Sequence, residues 1–379
     1  LQIMQHSRLG LTTRTEPYVA ALLVAPVSLM LITGAGVAKS LFYVAAIGCA
    51  LAMTARPQDR PGPLGPSFWC GALLIAWLTL SHVWSPSFSP LELLKLTATA
   101  LALIVFLLIG TRFYANAGSV HQWLVVAGLL GGALAVSSYL LEAGPREHFG
   151  RLLGYGQLRN PVLAGATFGC LTLVAGVLGI GQRAWFLPCG IFAALMLATG
   201  SRAPLLALCI AVLAGLEGRR RLLPLALIAG LLALPLAVDI PETAFAGRDF
   251  TRMTIWLTTF DQASSAQWLV GSGLGTPFEV ALDGVVYGHA HSVFVATFVQ
   301  GGLPAALLLV VLSGLLARQA LRAELSLRLP FIYGLVIILL DGSRLVGDIN
   351  LAWLVFWLPA GLLMARSPQG AIGYNQGAG

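Results

Sequence analysis

Charge is what this chain has least of. Asp, Glu, Lys and Arg together make up only 10% of its 379 residues, while 58% are apolar; an ordinary soluble domain carries about 25% charged residues. A chain so composed cannot clothe itself in polar surface, which excludes a soluble globular fold and leaves lipid as its solvent. Cysteine is scarce as well. The five present, Cys49, Cys70, Cys170, Cys189 and Cys209, all fall inside apolar stretches without metal-type spacing. That argues for small core side chains and against a disulfide framework or a zinc cluster. The ten-residue alternating segments of a membrane β-barrel are missing too. No charged n-region with a short apolar core and a cleavage site precedes the first apolar block, so a removable signal peptide is not expected.

What is there is a series of apolar blocks of about 16 to 26 residues, of which LLKLTATALALIVFLLIG at 93–110 is typical. Each can cross a hydrocarbon core roughly 30 Å thick as a helix rising 1.5 Å per residue. Twelve are counted, near residues 17–33, 38–54, 67–84, 91–110, 122–142, 160–180, 184–199, 203–217, 222–239, 291–316, 328–345 and 349–365. Backbone polar groups in lipid must be bonded within their own segment, so the expected fold is an all-α polytopic integral membrane protein. Residues 1–379 then form one transmembrane domain. Its single long loop, about 240–290, lies between spans nine and ten, and the Gly-rich end, 367–379, is expected to be disordered.

Net charge is +7, which in a soluble protein would suggest nucleic acid; here it reads first as a topology signal, and no nucleic-acid partner is expected. Counting loops alternately, thirteen of the 22 Lys and Arg residues fall on one side, Arg219, Arg220 and Arg221 among them. The positive-inside rule makes that side cytoplasmic, with both termini there. Nine fall on the other side, and seven of these follow residue 143: Arg146, Arg151, Arg159, Arg202, Arg248, Arg252 and Arg344. Long translocated loops are exempt from the rule, so solvated or headgroup-touching arginines would explain part of the set. Arg202 resists that explanation, because it sits in the very short connection TGSRAP. The functional reading is a basic pocket for an anionic ligand, since guanidinium forks match phosphate oxygens bidentately.

Within the long loop, FTRMTIWLTTFDQ alternates apolar and polar positions as a helix at an interface would. VGSGLGTP follows, readable as a phosphate nest but more simply as a turn. The loop closes with YGHAHSVF. His289 and His291 stand two apart where loop meets helix, where imidazole can act as a general base or bind a metal. A zinc site would want further ligands; none follows at helical spacing, and only Asp283, Asp341 or Asp348 could complete one, so no metal and no cofactor are expected. His289 should matter less than His291, since two positions along an incipient helix point its ring elsewhere.

Four stretches resemble the O-antigen ligase and polymerase superfamily, and they occur in that family's order. YGHAHSVFVATFVQGGLPAALL resembles its His-Asn/Ser/Gln signature with a later Gly-rich turn. RMTIW followed by WLVGSGLGTP looks like its Arg-x-x-x-Trp segment and glycine repeat, GRLLGYGQLRNPVLAG like its Arg-x-x-Gly segment running into an Asn, and TGSRAPLLAL like its Ser-Arg helix start. Together they cover about residues 150–305. Ser292 stands where Asn is common, Ala305 replaces a usual Gly, and Arg248 and Arg252 compete for one motif position, with the spacing to Trp256 favouring Arg252.

The resemblance implies a GT-C-like membrane glycosyltransferase of the bacterial inner membrane. It would be a metal-independent, inverting enzyme that moves a glycan from undecaprenyl pyrophosphate to a sugar hydroxyl of lipid A-core at the periplasmic face. Carried over residue by residue, His291, Arg252 and Arg202 are the expected catalytic groups. Arg248, Arg151, Arg159, Asn160, His289, Ser292 and Trp256 are the expected substrate-binding groups, and membrane lipids surround the whole. The residues agree in chemistry: a lipid pyrophosphate would present its anionic head at the membrane edge where the arginines gather, and its departure needs chiefly electrostatic stabilisation. Two alternatives stay open. A repeat-unit polymerase or protein O-oligosaccharyltransferase shares these motifs, and a lipid-linked glycan transporter would show midplane charges and inverted repeats.

Overall fold

The computed structural model describes residues 29–31, 35–55, 64–112, 117–141, 151–152, 154–216, 246–282, 284–347, 350 and 353–364. The expected spans near 17–33 and 222–239 lie wholly or largely outside them, as do Arg146, Asp283, Asp348 and the 367–379 tail.

Ten expected spans fall on apolar helices. These are α1 (Ala35–Ala55), α2 (Pro66–Ser81), α3 (Pro90–Arg112), α4 (Ala117–Leu141), α5 (Pro161–Gly181), α6 (Phe186–Ala198) and α7 (Arg202–Gly215) before the long loop. The loop itself contributes α8 (Ala246–Gln262), the short α9 (Ser265–Val270) and a hairpin of β1 (Val280–Leu282) and β2 (Val285–Tyr287). After it come α10 (Val293–Leu321), α11 (Leu325–Leu340) and a π-helical turn, Trp353–Trp357, that runs into α12 (Leu358–Met364). Among the described residues, five helices, α2 to α5 and α10, are long and apolar enough to cross a membrane.

Side chains on α1 say what surrounds the bundle. Ala38, Phe42, Ala45 and Cys49 are buried, while Val37, Leu41, Val44, Ile47 and Leu51 form an exposed stripe at helical spacing on the other face. On α4 the large side chains Trp123, Val126, Leu130 and Leu134 are likewise exposed. Apolar surface this continuous is tolerated only against lipid or a partner. Inside, α5 is the most enclosed of the five long helices and packs on α4, α6, α7 and α11, while α2 lies along α10 and α3 along α12.

Two expectations are corrected. The fold is not purely α-helical: β1 and β2 pair antiparallel, Val280 with Tyr287 and Leu282 with Val285. Val-rich runs about an Asp-Gly pair are the sequence signature of such a hairpin. The span expected at 328–345 ends at Leu340, because Asp341 turns extended and Gly342 takes φ +118°, so Arg344 leaves the helix.

A break inside α10 explains the glycine segment. Gly302 has φ +66° and ψ −165°, a region open essentially to glycine, and Pro304 follows with no N–H to offer Gln300. Orphaned carbonyls in lipid are costly, at several kcal/mol each. Three neighbours satisfy them: the Ser272 amide donates to Val299 O (2.7 Å), the Gly273 amide to Gln300 O (3.0 Å) and Trp77 Nε1 to Gly301 O (2.8 Å). The Gly271 amide goes to Gln267 O, and that of Leu274 to Ser81 Oγ. With these four amides engaged, the segment is the plain turn and not the phosphate nest. Gly302→Ala should lower thermal stability by more than about 1 kcal/mol, since its Cβ would stand 2.7 Å from the Gly271 and Val270 nitrogens. A melt in detergent equal to that of the parent would refute this account.

Candidate active site

Val162 near the start of α5, Arg202 and Ala203 at the start of α7 and His291 just before α10 come together at one edge of the bundle, and Arg252 of α8 reaches the last turn of α11. A cavity of about 510 Å³ opens there, lined by Arg151, Val162, Gly200, Ser201, Arg202, Ala203, Thr251, Arg252, Ile255, Tyr287 and His291. Three guanidiniums and the amide end of α7 all raise its potential, so the cavity suits an anion.

Each arginine is held differently. Arg151 donates from Nε to Thr199 O (2.7 Å) and from a terminal nitrogen to Ser201 Oγ (3.0 Å), which stacks it along the turn before α7. Ser201 in turn donates to Pro161 O at the head of α5. Arg202 is the first residue of α7 and reaches the cavity from its mouth. Arg252 sits on α8 and donates to Leu340 O (3.1 Å), the last turn of α11. Four residues on, the same face of α8 presents Trp256, whose Nε1 donates to Ala290 O (2.8 Å). The Arg-x-x-x-Trp spacing therefore ties α8 both to α11 and to the histidine segment, and Trp256 lines neither cavity.

The histidine segment is not yet helical. Helix α10 begins only at Val293, and His291 takes φ +51°, the one non-glycine residue with positive φ among the described residues. Its amide donates to His289 Nδ1 at 2.8 Å, and the two rings lie 4.4 Å apart. The helical-spacing argument that turned His289 away thus fails, because these residues precede the helix; His289 holds its neighbour in place. A residue in this sparsely populated region costs about 1–3 kcal/mol unless its surroundings enforce it, and the His289 and Trp256 contacts do so.

Asp341 completes the group. Its Oδ1 lies 3.4 Å from His291 Nδ1, long for a hydrogen bond and closed by a small rotation. Burial alone would raise the Asp341 carboxyl; the close His291 ring, the Gly342 amide and the electrostatic influence of both imidazoles carry it below its ordinary value. Burial depresses His289, helped by His291 and Arg252 and opposed by Asp341. A carboxylate behind an imidazole orients the ring and stabilises its protonated form, the arrangement of a general base.

On the far side of this group lies a second cavity of about 550 Å³. Its lining includes His289, Asn160, Gln157, Gln300, Thr276, Ser343 and Asn350, with Lys39 and Arg344 as its cations and Phe278 as an apolar wall. Neutral amides and hydroxyls with few charges suit a sugar hydroxyl better than a pyrophosphate. Asn160 also caps α5, accepting from the Val162 and Leu163 amides (2.9 and 3.3 Å).

Of the expected residues, Arg151, Arg202, Arg252 and His291 share the first cavity, and His289 and Asn160 line the second. Arg159 is exposed in the turn before α5 and lines neither, and Ser292 is buried as the residue preceding α10. The side chain of Arg248 lies outside the described residues, although its backbone belongs to α8. Asp341 was legible only as a possible metal ligand, and Tyr287 and Gln300 not at all. The signal for Asp341 was a lone acid ending an apolar run before glycine.

Fold and site together define a helical, multi-pass membrane protein with a cationic cavity and a His–His–Asp group at one edge of the bundle. No family model matches the chain. It is 29% identical over 260 residues, 64% of its length, to an O-antigen ligase from Pseudomonas aeruginosa strain PAO1, and the match spans 63% of that relative.

Proposed function

We propose that the protein is a periplasm-facing O-antigen ligase of the bacterial inner membrane, with twelve spans on a GT-C-like plan. It would transfer a glycan from undecaprenyl pyrophosphate to a sugar hydroxyl of lipid A-core. One observation carries the reading: His291 lines the arginine cavity, His289 lines the polar one, and their rings are 4.4 Å apart. A base between two cavities can serve two substrates at once.

In this reading Arg151, Arg202 and Arg252 hold the pyrophosphate, and the amide-rich cavity holds the acceptor. His291 takes the proton from the acceptor hydroxyl as that oxygen bonds to the anomeric carbon. The bond from that carbon to the phosphate oxygen breaks, and undecaprenyl pyrophosphate leaves with the electron pair. A single displacement inverts the anomeric centre. Three guanidiniums supply the counter-charge that a divalent ion would otherwise give, so the step needs no metal. The name of the Pseudomonas aeruginosa relative favours ligation over polymerisation.

Purified protein in nanodiscs with both lipids should place glycan on lipid A-core; product lacking that linkage, or glycan chains that only lengthen, would reject the ligase. Topology is tested separately. In a cysteine-free background, Ser265→Cys on the exposed start of α9 should react with an impermeant thiol reagent from the periplasm. Labelling from the cytoplasm alone would invert the proposed orientation.

A further inference from the structure

We infer that His289, His291 and Asp341 also form a binding site for a borderline transition metal such as Zn²⁺, and that the ion, once bound, blocks transfer. Among the described residues they are the one group of three ligand-type side chains whose donor atoms all lie within 4.8 Å of one another. Tetrahedral zinc bonds nitrogen and carboxylate oxygen at about 2.0–2.1 Å, which makes the edges of its tetrahedron roughly 3.3–3.4 Å. His291 Nδ1 and Asp341 Oδ1, 3.4 Å apart, already stand at that spacing. The donor atom of His289 lies no more than 4.8 Å from either of these, a gap that a small side-chain shift can close.

Chemistry selects the ion. Two imidazoles and one carboxylate are a set that zinc takes in open sites, with solvent as fourth ligand. Mg²⁺ and Ca²⁺ prefer cages of oxygen, and this group offers one carboxylate. Nδ1 of His289 already accepts the His291 amide, and a metal bound through Nε2 leaves that bond intact. Both cavities lead to the group, so an ion has access and water has room. The opposing force is also visible. Arg252 is close enough to act on His289 electrostatically, and the cavity beyond carries two more guanidiniums. Repulsion of this kind weakens a divalent cation without abolishing coordination, which describes an ion that visits and inhibits, not a resident cofactor.

Inhibition follows from the lone pair. A metal on His291 Nδ1 separates the ring from Asp341, fixes its orientation and adds positive charge, so the ring can no longer take a proton from an acceptor. This half of the inference rests on the proposed ligase; the binding half does not.

The test uses the full chain without a histidine tag, in nanodiscs, titrated with Zn²⁺ alone by calorimetry and with Co²⁺ by its visible d–d absorption. One equivalent should bind, Mg²⁺ should give no heat, and His289→Gln and Asp341→Asn should each weaken binding by at least about tenfold. At one Zn²⁺ concentration the melting temperature should rise more for the parent than for either variant, a control for variants that fold. Saturating Zn²⁺ should lower transfer about 100-fold or more, the contribution of a general base, and a chelator should restore it. No saturable binding, or binding unchanged in both variants, would overturn the site. Stoichiometric binding with transfer undiminished would overturn the block. A metal-free protein without transferase activity would reject the ligase reading while the titration still decided the site.

Discussion

Arg252→Ala is expected to lower glycan transfer by about 30-fold to 1000-fold, the loss of roughly 2 to 4 kcal/mol of transition-state stabilisation. The residue joins three parts of the site. It lines the cationic cavity, donates to Leu340 O beside Asp341, and shares a face of α8 with Trp256, which fixes the histidine segment. A carbonyl holds one of its donors and so aligns the guanidinium at the cavity wall, and the fork geometry suits phosphate oxygens. Arg252→Lys should recover activity only in part, since an ammonium lacks the fork. Arg151 is a less clean subject, because its bonds to Thr199 O and Ser201 Oγ shape the turn before α7. Arg248 lies one helical turn before Arg252 on α8 and should be replaced in parallel. Single-turnover rates with donor lipid would decide the matter. Arg252→Ala with the parent rate, beside an Arg248→Ala that fails, would move the pyrophosphate site one turn along the helix; full rates in both would remove it.

What the sequence disclosed and what it hid follow from the range of the forces involved. Apolar blocks report burial in lipid, a local property, so ten expected spans coincide with helices. The break at Gly302 could not be read, because a Gly-Gly-Leu-Pro string is compatible with a plain kink; its stability depends on Trp77, Ser272 and Gly273, which are distant in sequence or belong to another element. The late arginines are legible because, on the expected topology, they break a charge rule. Asp341 violates nothing, and its meaning comes from proximity to a histidine fifty positions away. Helical spacing does not describe His289 and His291 for a related reason: both precede the helix, and His291 is left-handed. Backbone conformation at a helix entrance is set by contacts such as the bond from Trp256 to Ala290 O, which no spacing rule contains.

His291→Ala should carry the largest loss, about 100-fold to 10,000-fold in turnover, with folding and donor binding nearly unchanged. Its side chain is 35% exposed, so its removal leaves no sealed cavity and little packing is forfeited. Asp341 is 14% exposed and acts through the ring. Asp341→Asn keeps the shape, removes the charge that stabilises protonated imidazole, and should therefore reduce turnover on its own. In a protein that already has His291→Ala, the same change should cost nothing further, because the group it serves is gone. Residues that act as a unit give such non-additive losses, and the double-mutant cycle measures them. The same cycle with His289→Ala tests whether that ring works by holding the His291 amide, in which case its effect also vanishes beside His291→Ala. If the losses from Asp341 and His291 instead multiplied, the carboxylate would serve some other function, and the dyad would have to be abandoned. If His291→Ala formed product at the parent rate, the base would lie elsewhere, and the left-handed turn at residue 291 would be an architectural feature of the entrance to α10.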